Sequence, residues 1–488
     1  MYWRLIIFAA LGGFLFGYET SVINGALFQM KDYFDLSEHS WTYGLIVSIA
    51  IVGAFVGSFA SSFISARWGR RSCIALADVF FTLGSLLMAF ANHVSLILVG
   101  RLIVGFGIGL SSATIPVYLA EITPAASRGA AIVFNNVSIT GAQFIASVVT
   151  ALFVIYTEPN LGWRLALGLG AVPSLIQLVA LLVFLPETPR WYLAYGRVEE
   201  ANRVASAFNI DIGECTEGEK LVTDFTALLT KTMRKRLFLG CMLHVLQQTS
   251  GINTLMYYST VIMSDAGFKD KNMPLLMFIP LAGVNTLFSV FGVFTVDKWG
   301  RRSLLIISSY GCLAVTIAMT VIGFYLHEDA MADSGKWAFF SMMCLYLMFF
   351  APGLGAMPWV VLGEVFPTKL RTSAASVATM CNWGSNALVS LVFPSILGAI
   401  GVGGTFAILC GCIAIAVAFI QIFMVETKGL SLEEIEKIFD AAANSGTSQP
   451  PSCHGANEPC NEPEANVPRS EVDTELPSGE KKCDAHRA

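Results

Sequence analysis

Twelve predominantly apolar blocks, most of them of twenty residues or more, run through this chain of 488 residues. As an α-helix, a block of that length crosses a bilayer core of roughly 30 Å. The sequence therefore predicts an all-α polytopic membrane protein that lies in a lipid bilayer and has no nucleic-acid partner. The predicted helices cover residues 4–30, 43–65, 72–92, 95–119, 130–156, 164–185, 237–264, 274–296, 303–326, 337–362, 374–400 and 403–425.

The composition agrees with this class. Hydrophobic residues make up 55% of the chain and charged residues 13%, which is about half the charged fraction of an ordinary soluble domain. The first block lacks the basic stretch, short apolar core and cleavage pattern of a signal peptide, so we expect it to stay in place as a helix. No nucleophile–base arrangement or metal-ligand set appears in the sequence. We therefore expect no enzyme activity, no metal and no cofactor.

The second part of the chain repeats motifs of the first part. The repeated pairs are ARWGRRS at 66–72 with DKWGRRS at 297–303, EITPAASR at 121–128 with EVFPTKLR at 364–371, and PETP at 186–189 with VETK at 425–428. The offsets of the three pairs are similar, which indicates two copies of a six-helix unit. A duplicated unit predicts a cleft between the halves and a binding site near the membrane midplane.

The repeat divides the chain into four segments. Residues 1–186 are predicted to form the N-terminal half and residues 237–430 the C-terminal half of the helical bundle. Residues 187–236 form a linker with helical stretches at 198–208 and 217–229. Residues 431–488 form a tail rich in Pro, Ser, Glu and Asn, which is typical of a mostly disordered segment.

The basic residues set the expected orientation. Arginine and lysine concentrate in the linker and in the loops after the second, fourth, eighth and tenth helices, whereas the alternate loops are mainly acidic. Loops rich in arginine and lysine stay in the cytoplasm. We therefore expect the linker and both termini to be cytoplasmic, and we favour the plasma membrane over an internal membrane such as that of the Golgi.

One carboxyl group, Glu19, lies near the middle of the first apolar block. Ionisable residues at such positions usually mark an ion pathway, a proton relay or a buried ion pair. Burial favours the neutral form of a carboxyl group, and a nearby arginine favours its charged form. Glu19 is therefore predicted to bind and release a proton. The alternative is a static ion pair that only fixes helix packing.

Ten motifs follow one another in order along the chain. They are GGFLFGYET at 12–20, GRR at 69–71, GRLIVGFGIG at 100–109, PVYLAEITP at 116–124, PETPRW at 186–191, QQTSGIN at 247–253, DKWGRR at 297–302, PWVVLGEVFP at 358–367, NW at 382–383 and VETKGLSLEE at 425–434. With these motifs, residues 5 to 436 resemble the sugar porter branch of the major facilitator superfamily.

Within that branch the chain is most similar to the myo-inositol/proton symporters of trypanosomatid protozoa. The stretches that carry this narrower likeness are ALFQMKDYF at 26–34, SEHSW at 37–41, SSATIPVYLAEIT at 111–123, LRTSAASVATMCNWG at 370–384 and GAIGVGGTF at 398–406. The resemblance implies proton-coupled uptake of myo-inositol by alternating access, with a polyol or sugar and a proton as partners and a monomer as the functional unit. A hexose transporter, proton-coupled or facilitative, and a non-transporting nutrient receptor are the alternatives.

The resemblance also implies a partner for Glu19. Proton-coupled members of the family place an aspartate on the first helix against an arginine that matches Arg101, which we expect near the cytoplasmic start of the fourth helix. Here the acid is a glutamate. Its additional methylene group keeps the charge but lengthens the reach, so the coupling geometry is expected to differ.

Amide and indole side chains are expected to form the substrate site. Amides match the hydroxyl groups of a polyol because they offer donors and acceptors without a charge, and indole rings suit the C–H face of a ring. A helix break is expected at Gly251, and His244 either contacts this site or is satisfied by packing. By resemblance the substrate residues are Gln143, Gln247, Gln248, Asn253, Trp359 and Asn382, with Trp383, Asn386 and Phe16 beside them. The alternative role for each amide is hydrogen bonding between helices.

Acidic and basic residues recur at equivalent positions of both halves. We expect them to form a cytoplasmic gate of salt bridges, which closes the halves while the site is open to the outside. Membrane orientation alone would explain the arginines but not the paired glutamates. The first copy has Ala66 where the second copy has Asp297. The predicted gate residues are Glu121, Arg128, Glu187, Glu364, Arg371 and Glu426, with Arg67, Arg71, Asp297 and Arg301, and Arg70, Arg190 and Arg302 nearby.

Overall fold

The computed structural model describes residues 2–35, 41–124, 127–208, 210, 225–265, 273–325, 333–367, 369–430, 434–437 and 439. These residues belong to one unit, Met1–Pro451, and the second unit, Ser452–Ala488, lies outside them. Most of the predicted tail and the first part of the predicted stretch 217–229 also lie outside the described residues.

All regular structure in the described part of the chain is helical. The α-helices are α1 Tyr2–Tyr33, α2 Trp41–Trp68, α3 Arg70–Ala89, α4 Val94–Ile122, α5 Arg128–Tyr156, α6 Pro159–Gly168, α7 Ala171–Val183, α8 Pro189–Ala194, α9 Val198–Phe208, α10 Lys231–Thr249, α11 Ile252–Asp265, α12 Met273–Trp299, α13 Arg301–Tyr325, α14 Asp333–Phe350, α15 Met357–Glu364 and α16 Arg371–Phe423. A 3₁₀ turn covers Ala227–Leu229 and a π-helical turn covers Ala351–Gly355.

The twelve predicted membrane helices are present. They correspond to α1 to α5, α6 with α7, α10 with α11, α12, α13, α14 with α15, and the two parts of α16. Ten of these spans are long and apolar enough to cross a membrane by length and hydropathy. The other two are α10 with α11, which begins at basic residues and carries Gln247 and Gln248, and the first part of α16. Polar residues that face the interior lower the hydropathy of such a helix.

One of the two helical stretches predicted for the linker is confirmed, and of the other, 217–229, only 225–229 is described, as a turn and a 3₁₀ turn. The expected helix at 198–208 is confirmed as α9. The short helix α8 was not predicted. It begins with Pro189 at its first position, where the missing N–H is not needed, and the Thr188 hydroxyl oxygen accepts a hydrogen bond from the main-chain N–H of Trp191 at 3.3 Å.

Helix breaks interrupt two spans of the C-terminal half, and a further break separates its last two spans. The predicted break at Gly251 is confirmed, since this residue has a φ of 92° between α10 and α11. That angle lies in the region that favours glycine. Gly401, with a φ of 67°, separates the two parts of α16. The π-helical turn at Ala351–Gly355 separates α14 from α15 and leaves main-chain carbonyl groups free to accept bonds from side chains.

The spans pack as two groups of six. Helices α1 to α7 pack mainly with one another, as do α10 to α16, and the halves meet where α5 contacts α12 and where α2 contacts α16. Glycine allows the closest approaches: a Cβ atom on Gly17 of α1 would collide with the main chain of Ile139, and one on Gly109 of α4 with that of Ala54. The outer surface carries many exposed large apolar side chains, including Leu182 and Phe294, as expected of a lipid-facing surface.

Candidate functional site

A cavity lies between the two halves at the level of the breaks within α10–α11 and α14–α15. All eight residues predicted to contact substrate line it: Phe16, Gln143, Gln247, Gln248, Asn253, Trp359, Asn382 and Trp383. The first two come from the N-terminal half and the others from the C-terminal half. The structure therefore brings these residues together, and their role as ligands stays a prediction.

The cavity has further polar lining residues that the sequence analysis did not select. They are Thr20, Asn136, Thr140, Tyr257 and Asn285. Helical spacing would have found four of them, because residues three or four positions apart share a helix face. Asn136 and Thr140 precede Gln143 at such intervals, and Thr20 and Tyr257 follow Phe16 and Asn253 at four residues. Asn386 lies four residues after Asn382 and also lines the cavity.

The amides of the C-terminal half form one hydrogen-bonded network. The Nε2 atom of Gln247 donates to the main-chain oxygens of Leu354 and Gly355, both at 2.9 Å, in the π-helical turn. Its Oε1 atom accepts from Nδ2 of Asn382 at 2.8 Å. Gln248 donates from Nε2 to Oδ1 of Asn382 at 3.1 Å. The helix breaks thus hold the amides in fixed orientations at the cavity wall.

The same network continues through Gln248 to the break in the helix. Oε1 of Gln248 accepts a short hydrogen bond from Nδ2 of Asn253, which lies on the other side of Gly251. The amide of Gln248 therefore connects α10, α11 and α16. A ligand that binds these amides contacts all three helices at once.

His244 lies behind the cavity wall and does not line it. Its Nδ1 atom is 3.0 Å from Nδ2 of Asn382, an amide donor, so Nδ1 accepts and the ring proton lies on Nε2. The ring packs edge-on against Trp359, with 4.7 Å between the ring centroids. His244 was expected either to contact the site or to be satisfied by packing. Its placement fits the second role, and the ring also orients the amide of Asn382.

The two indole rings differ in their environments. Nε1 of Trp383 donates to the Ser112 hydroxyl oxygen at 3.1 Å, a bond that joins the C-terminal half to α4. The ring of Trp383 also meets Phe16 edge-on at 5.2 Å. Trp383 therefore forms part of the contact between the halves as well as part of the cavity wall.

The described lining residues of the cavity include no Asp, Glu, Lys or Arg. They present amide, hydroxyl and aromatic groups, and the Oδ1 atom of Asn285 is buried without a hydrogen-bond partner. A charged ligand would lose its hydration here without gaining a counter-charge. The chemistry of this lining suits a neutral ligand with several hydroxyl groups.

Glu19 and Arg101 are neighbours, but their side chains are not paired in the expected way. Nη1 of Arg101 donates to the main-chain oxygen of Glu19 at 3.0 Å, and its Nε donates to that of Ile46 at 3.2 Å. The Glu19 carboxylate instead accepts from the Ser85 hydroxyl at 2.8 Å through Oε1, and Oε2 has no partner. The longer glutamate side chain places its carboxylate on α3.

Arg101 lies near the start of the fourth helix as predicted, but not on the side of the gate residues, where a cytoplasmic position would place it. Arg101 lies near the beginning of α4, and Glu121 lies near its end. Twenty residues of helix separate them, which is about 30 Å. Arg101 is therefore at the membrane side opposite the gate residues, because α4 runs antiparallel to α3.

A second, much smaller pocket lies between Arg101 and the main cavity. Arg101 lines it, and Thr20, Tyr257 and Trp383 line both cavities. The guanidinium group of Arg101 therefore lies close to the space that a ligand would occupy, but it is not part of the wall of the main cavity. This placement allows the charge at Arg101 to respond to occupancy of the site.

The predicted gate residues cluster at one end of the bundle, called here the charged end and defined by Glu121, Glu187, Glu364 and Glu426. In the N-terminal half, Nη2 of Arg70 lies 3.0 Å from Oε1 of Glu121, and both side chains are buried. Glu187 accepts hydrogen bonds from the main-chain N–H groups of Arg70 and Thr188 at 3.0 and 2.9 Å. Burial raises the pKa of Glu187 above its ordinary value, although these bonds and the charge of Arg70 act in the opposite direction.

The C-terminal half repeats this arrangement. Arg301 forms two bonds to Glu364, at 2.7 and 3.2 Å, and one to Asp297 at 3.0 Å. Glu426 accepts from the main-chain N–H groups of Arg301 and Arg302 at 2.8 and 3.1 Å. The repeated sequence motifs therefore form the same structural unit twice.

Gly69 and Gly300 occupy equivalent positions in the two units. Each precedes a helix, α3 or α13, with a φ of 92° or 86°. A Cβ atom at either position would collide with the carboxylate of Glu187 or Glu426. Glycine is thus needed both for its backbone angle and for the space that the carboxylate takes up.

The two halves are tied to each other at the charged end. The bonds between the halves at this end include Arg371 Nη1 to Glu121 Oε1 at 3.4 Å, Ala130 N to Asp297 Oδ2 at 3.1 Å, and Arg128 Nη1 to Leu430 O at 3.4 Å. Ser61 and Ser376 share a further hydrogen bond at 2.8 Å. The structure is therefore closed at this end.

The individual gate residues differ in their roles. Arg71 donates to the main-chain oxygens of Leu181 and Leu182 at 2.9 and 3.2 Å. Arg67, a predicted gate residue, is exposed. Arg70 was expected only to lie near the gate, but it holds the central position beside Glu121. The internal repeat contains this information, since Arg70 aligns with Arg301 and Arg67 with Lys298.

The family model described as "Sugar (and other) transporter" matches residues 5–439. "Membrane transporter D1" of Leishmania donovani is 53% identical over 457 residues, covering 93% of this chain and 83% of the relative. The "Proton myo-inositol cotransporter" of Homo sapiens is 34% identical over an alignment of 534 residues, covering 89% of this chain and 81% of the relative.

Among solved structures, the fold is similar to that of the proton:xylose symporter XylE bound to 6-bromo-6-deoxy-D-glucose. The TM-score is 0.77 with 27% sequence identity, and the match covers 90% of this chain and 98% of that chain. The likeness thus extends over nearly the whole helical bundle.

Proposed function

The chain belongs to the sugar (and other) transporter family, and we propose that it takes up myo-inositol together with protons by alternating access. The observation that carries this proposal is the uncharged, amide-rich cavity between the halves. Such a wall recognises a neutral polyol through hydrogen bonds that a charged or apolar solute would leave unmade. The human relative, whose name is that of a proton myo-inositol cotransporter, supports the same substrate.

The two halves, residues 1–186 and 237–430, would move relative to each other around the cavity. The hydrogen bonds at the charged end hold one side closed, and they must break for the cavity to open there. We place this end, the linker and both termini on the cytoplasmic side because of their basic residues. In that orientation the present state blocks release to the cytoplasm, and a monomer in the plasma membrane is the functional unit.

Glu19 would carry the coupled proton. Its carboxylate is buried and bonded to Ser85, and Arg101 is bonded to the main chain of the same residue. Rotation of either side chain would bring the two charges together without moving a helix. Proton release from Glu19 would then be linked to the position of Arg101, and through the second cavity to substrate occupancy.

Uptake of radiolabelled myo-inositol into proteoliposomes with an imposed pH gradient tests this function directly. Concentrative uptake is expected when the outside is acidic, and it should collapse when an ionophore removes the proton gradient. Uptake that reaches only equilibrium under both conditions would rule out proton coupling. Binding of myo-inositol without flux would instead identify a receptor.

A hexose is the second candidate substrate. The structural neighbour XylE is described as a proton:xylose symporter, and its bound ligand is a glucose derivative. The amide wall alone does not separate a polyol ring from a pyranose ring. Uptake of labelled myo-inositol is measured in the presence of unlabelled glucose, xylose or myo-inositol. If the protein is a hexose transporter, unlabelled hexose should inhibit this uptake at lower concentrations than unlabelled myo-inositol does.

A further inference from the structure

A second carboxyl group, Asp78 of α3, is buried inside the N-terminal half. Its residue is 1% exposed, and neither Oδ1 nor Oδ2 has a hydrogen-bond partner among the described residues. A charged carboxylate in that position would be strongly destabilised. Asp78 does not line the main cavity and was not among the predicted site residues.

Contacts between α3 and α7 show what lies beside Asp78. Arg71 of α3 is bonded to Leu181 of α7, and Thr82 shares a hydrogen bond with Ser174 at 2.7 Å. The two helices run antiparallel, so this register places Asp78 level with Gln177.

Gln177 also has an unpartnered acceptor. Its Nε2 atom donates to the main-chain oxygens of Phe8 and Ala9 of α1, both at 3.1 Å, while its Oε1 atom is buried without a partner. Carboxylate and amide oxygens only accept hydrogen bonds. Two sets of buried acceptors at one level therefore favour a proton on the carboxyl group of Asp78, which would give the site a donor.

Hydroxyl groups lie between this level and Glu19. The Thr82 hydroxyl donates to the main-chain oxygen of Asp78 at 2.9 Å and the Ser174 hydroxyl to that of Ala171 at 2.8 Å, so both must turn before they pass on a proton. Asp78, Thr82 and Ser85 are spaced four and three residues apart, so they lie on one face of α3. Ser85 donates to Oε1 of Glu19 at 2.8 Å. The seven residues from Asp78 to Ser85 span about 10 Å along the helix. The hydroxyl groups of Thr82 and Ser174 lie between the two carboxyl groups.

Among the side chains that the structure describes, the elements around Asp78 bring no free cation to it. On α4, Arg101 is bonded to main-chain oxygens of Ile46 and Glu19, and α7 contains no titratable residue. The titratable or charged residues with described side chains, on α3 or on helices that pack against it, are Arg4, Tyr18, Glu19 and Tyr33 on α1, Arg67 on α2, Arg70, Arg71 and Cys73 on α3, Arg101, Tyr118 and Glu121 on α4, and Arg164 on α6. Arg70 and Arg71 are bonded to Glu121 and to α7, respectively.

The second half of the bundle shows that the fold does not need an acid at this place. Ser309 of α13 occupies the position equivalent to Asp78 in the repeat. Its hydroxyl group donates to the main-chain oxygen of Ile306 at 3.0 Å, so it is satisfied within its own helix. Asp78 and Glu19 are thus both features of the N-terminal half alone.

We propose that Asp78 is a second proton-binding site, and that the proton leaves Glu19 along the α3–α7 face toward the charged end. This inference rests on the proposed proton-coupled transport. When the charged end opens, Asp78 releases its proton to water there, while the Gln177 amide leaves the main-chain oxygens of Phe8 and Ala9 and turns to donate to the carboxylate. The O–H bond of Glu19 then breaks as an O–H bond forms at Asp78, by transfer through the Ser85, Thr82 and Ser174 hydroxyl groups.

One proton is transferred in this step, and the carboxylate left at Glu19 lies next to Arg101. The route lies on the side of α1 away from the main cavity, whose walls come from α1, α5 and the C-terminal half. Substrate and proton would therefore reach the charged end by separate paths. With separate routes, the proton and the substrate do not have to leave through the same opening.

Asp78→Asn tests the proposal because asparagine keeps the size of the side chain but cannot carry a transferable proton. In proteoliposomes loaded with a pH-sensitive dye, we expect this variant to lose proton influx and gradient-driven accumulation by at least about tenfold. Exchange of labelled for unlabelled myo-inositol at equal pH should continue. Ser309→Ala, at the equivalent position of the other half, is the matched control and should behave as the unmodified protein.

The outcomes separate the inference from the proposed function. If the unmodified protein is proton-coupled and Asp78→Asn accumulates myo-inositol equally well, Asp78 is only a buried neutral group and the proposal is wrong. If the unmodified protein is not proton-coupled, the proposed function fails first. Should Asp78→Asn not fold, Thr82→Val carries the same test: slower proton influx with normal exchange supports the route, and unchanged influx overturns it.

Discussion

Arg101 donates a hydrogen bond to the main-chain oxygen of Glu19 at 3.0 Å, while the carboxylate of Glu19 points away to Ser85. The arginine is thus anchored beside the residue proposed to carry the coupled proton, without a direct bond to its carboxylate. Under that proposal, an ion pair between the two side chains would form in one state of the transport cycle and be absent in the other.

Glu19→Gln is expected to abolish accumulation of myo-inositol against a gradient while leaving exchange intact. Glutamine keeps the hydrogen bond to Ser85 but cannot release a proton, so substrate still crosses without being driven. Measurement of both modes in the same proteoliposomes separates the two effects. Full concentrative uptake by this variant would show that Glu19 is not the coupling site.

Glu19→Asp is the matched control for that experiment. Aspartate keeps the acid and shortens the side chain by one methylene group, which withdraws the carboxylate from Ser85 toward the backbone that Arg101 contacts. We expect coupling to persist, with a changed dependence of the uptake rate on pH. Loss of coupling in both variants would mean that the reach to Ser85, and not only the acid, is required.

Gln248→Ala is expected to raise the KM for myo-inositol more than it changes kcat. The Gln248 amide is bonded to Asn382 and Asn253, so its removal disorders part of the cavity wall. Loss of one buried hydrogen-bonding partner costs about 1–3 kcal/mol, equivalent to roughly a five- to hundredfold higher KM. Concentration-dependent uptake measures this, and Gln29→Ala, a buried glutamine outside the cavity lining, is the control. An unchanged KM would exclude Gln248 from the binding site.

The large features of the fold were predictable because they depend on local sequence. Each apolar block is long enough to be a helix, and Gly251 allows the backbone angle at the break between α10 and α11. Repetition of the GRR and E-x-x-P-x-x-x-R motifs was sufficient to predict two copies of the charged unit. The separation into halves with a cleft between them follows from that repeat, whereas the eight residues that line the cavity were selected by the resemblance to the sugar porters.

Other features depend on distances between helices and were not predictable in the same way. The direction of the Glu19 carboxylate is set by the gap between α1 and α3, which no local pattern encodes. Arg70 was undervalued although the repeat aligned it with Arg301. Asp78 was overlooked because one acid hardly changes the hydropathy of a helix such as α3, although a lone buried acid is itself a signal.

Asp297→Ala is expected to weaken closure at the charged end. Asp297 accepts a hydrogen bond from the main-chain N–H of Ala130 in the other half and also pairs with Arg301. Alanine removes both contacts and makes this position like Ala66 of the first copy. Hydrogen exchange followed by mass spectrometry should show faster exchange in the peptide that contains Ala130.

Asp297→Asn distinguishes the two contacts of that aspartate. Asparagine still offers an oxygen to the Ala130 N–H but has no charge for Arg301. Exchange at Ala130 should stay slow if the link between the halves depends on that oxygen. Equally fast exchange in both variants would show that the ion pair with Arg301 maintains closure, and unchanged exchange in both would refute a role for Asp297 in the gate.

Glu187→Ala and Glu426→Ala should destabilise the protein by similar amounts, because the two residues perform the same task in the two halves. Each carboxylate accepts main-chain N–H bonds at the start of a helix, at 2.9 to 3.0 Å for Glu187 and 2.8 to 3.1 Å for Glu426. Hydrogen bonds to a charged group contribute roughly 1.5–3 kcal/mol each to stability, so thermal unfolding in detergent should begin at a clearly lower temperature. Glu200→Ala is the control, since Glu200 forms an exposed pair with Arg197 of a kind that contributes little. A decrease in only one half would mean that the repeated units have diverged in their stabilising role, and no decrease in either would show that water replaces these carboxylates without cost.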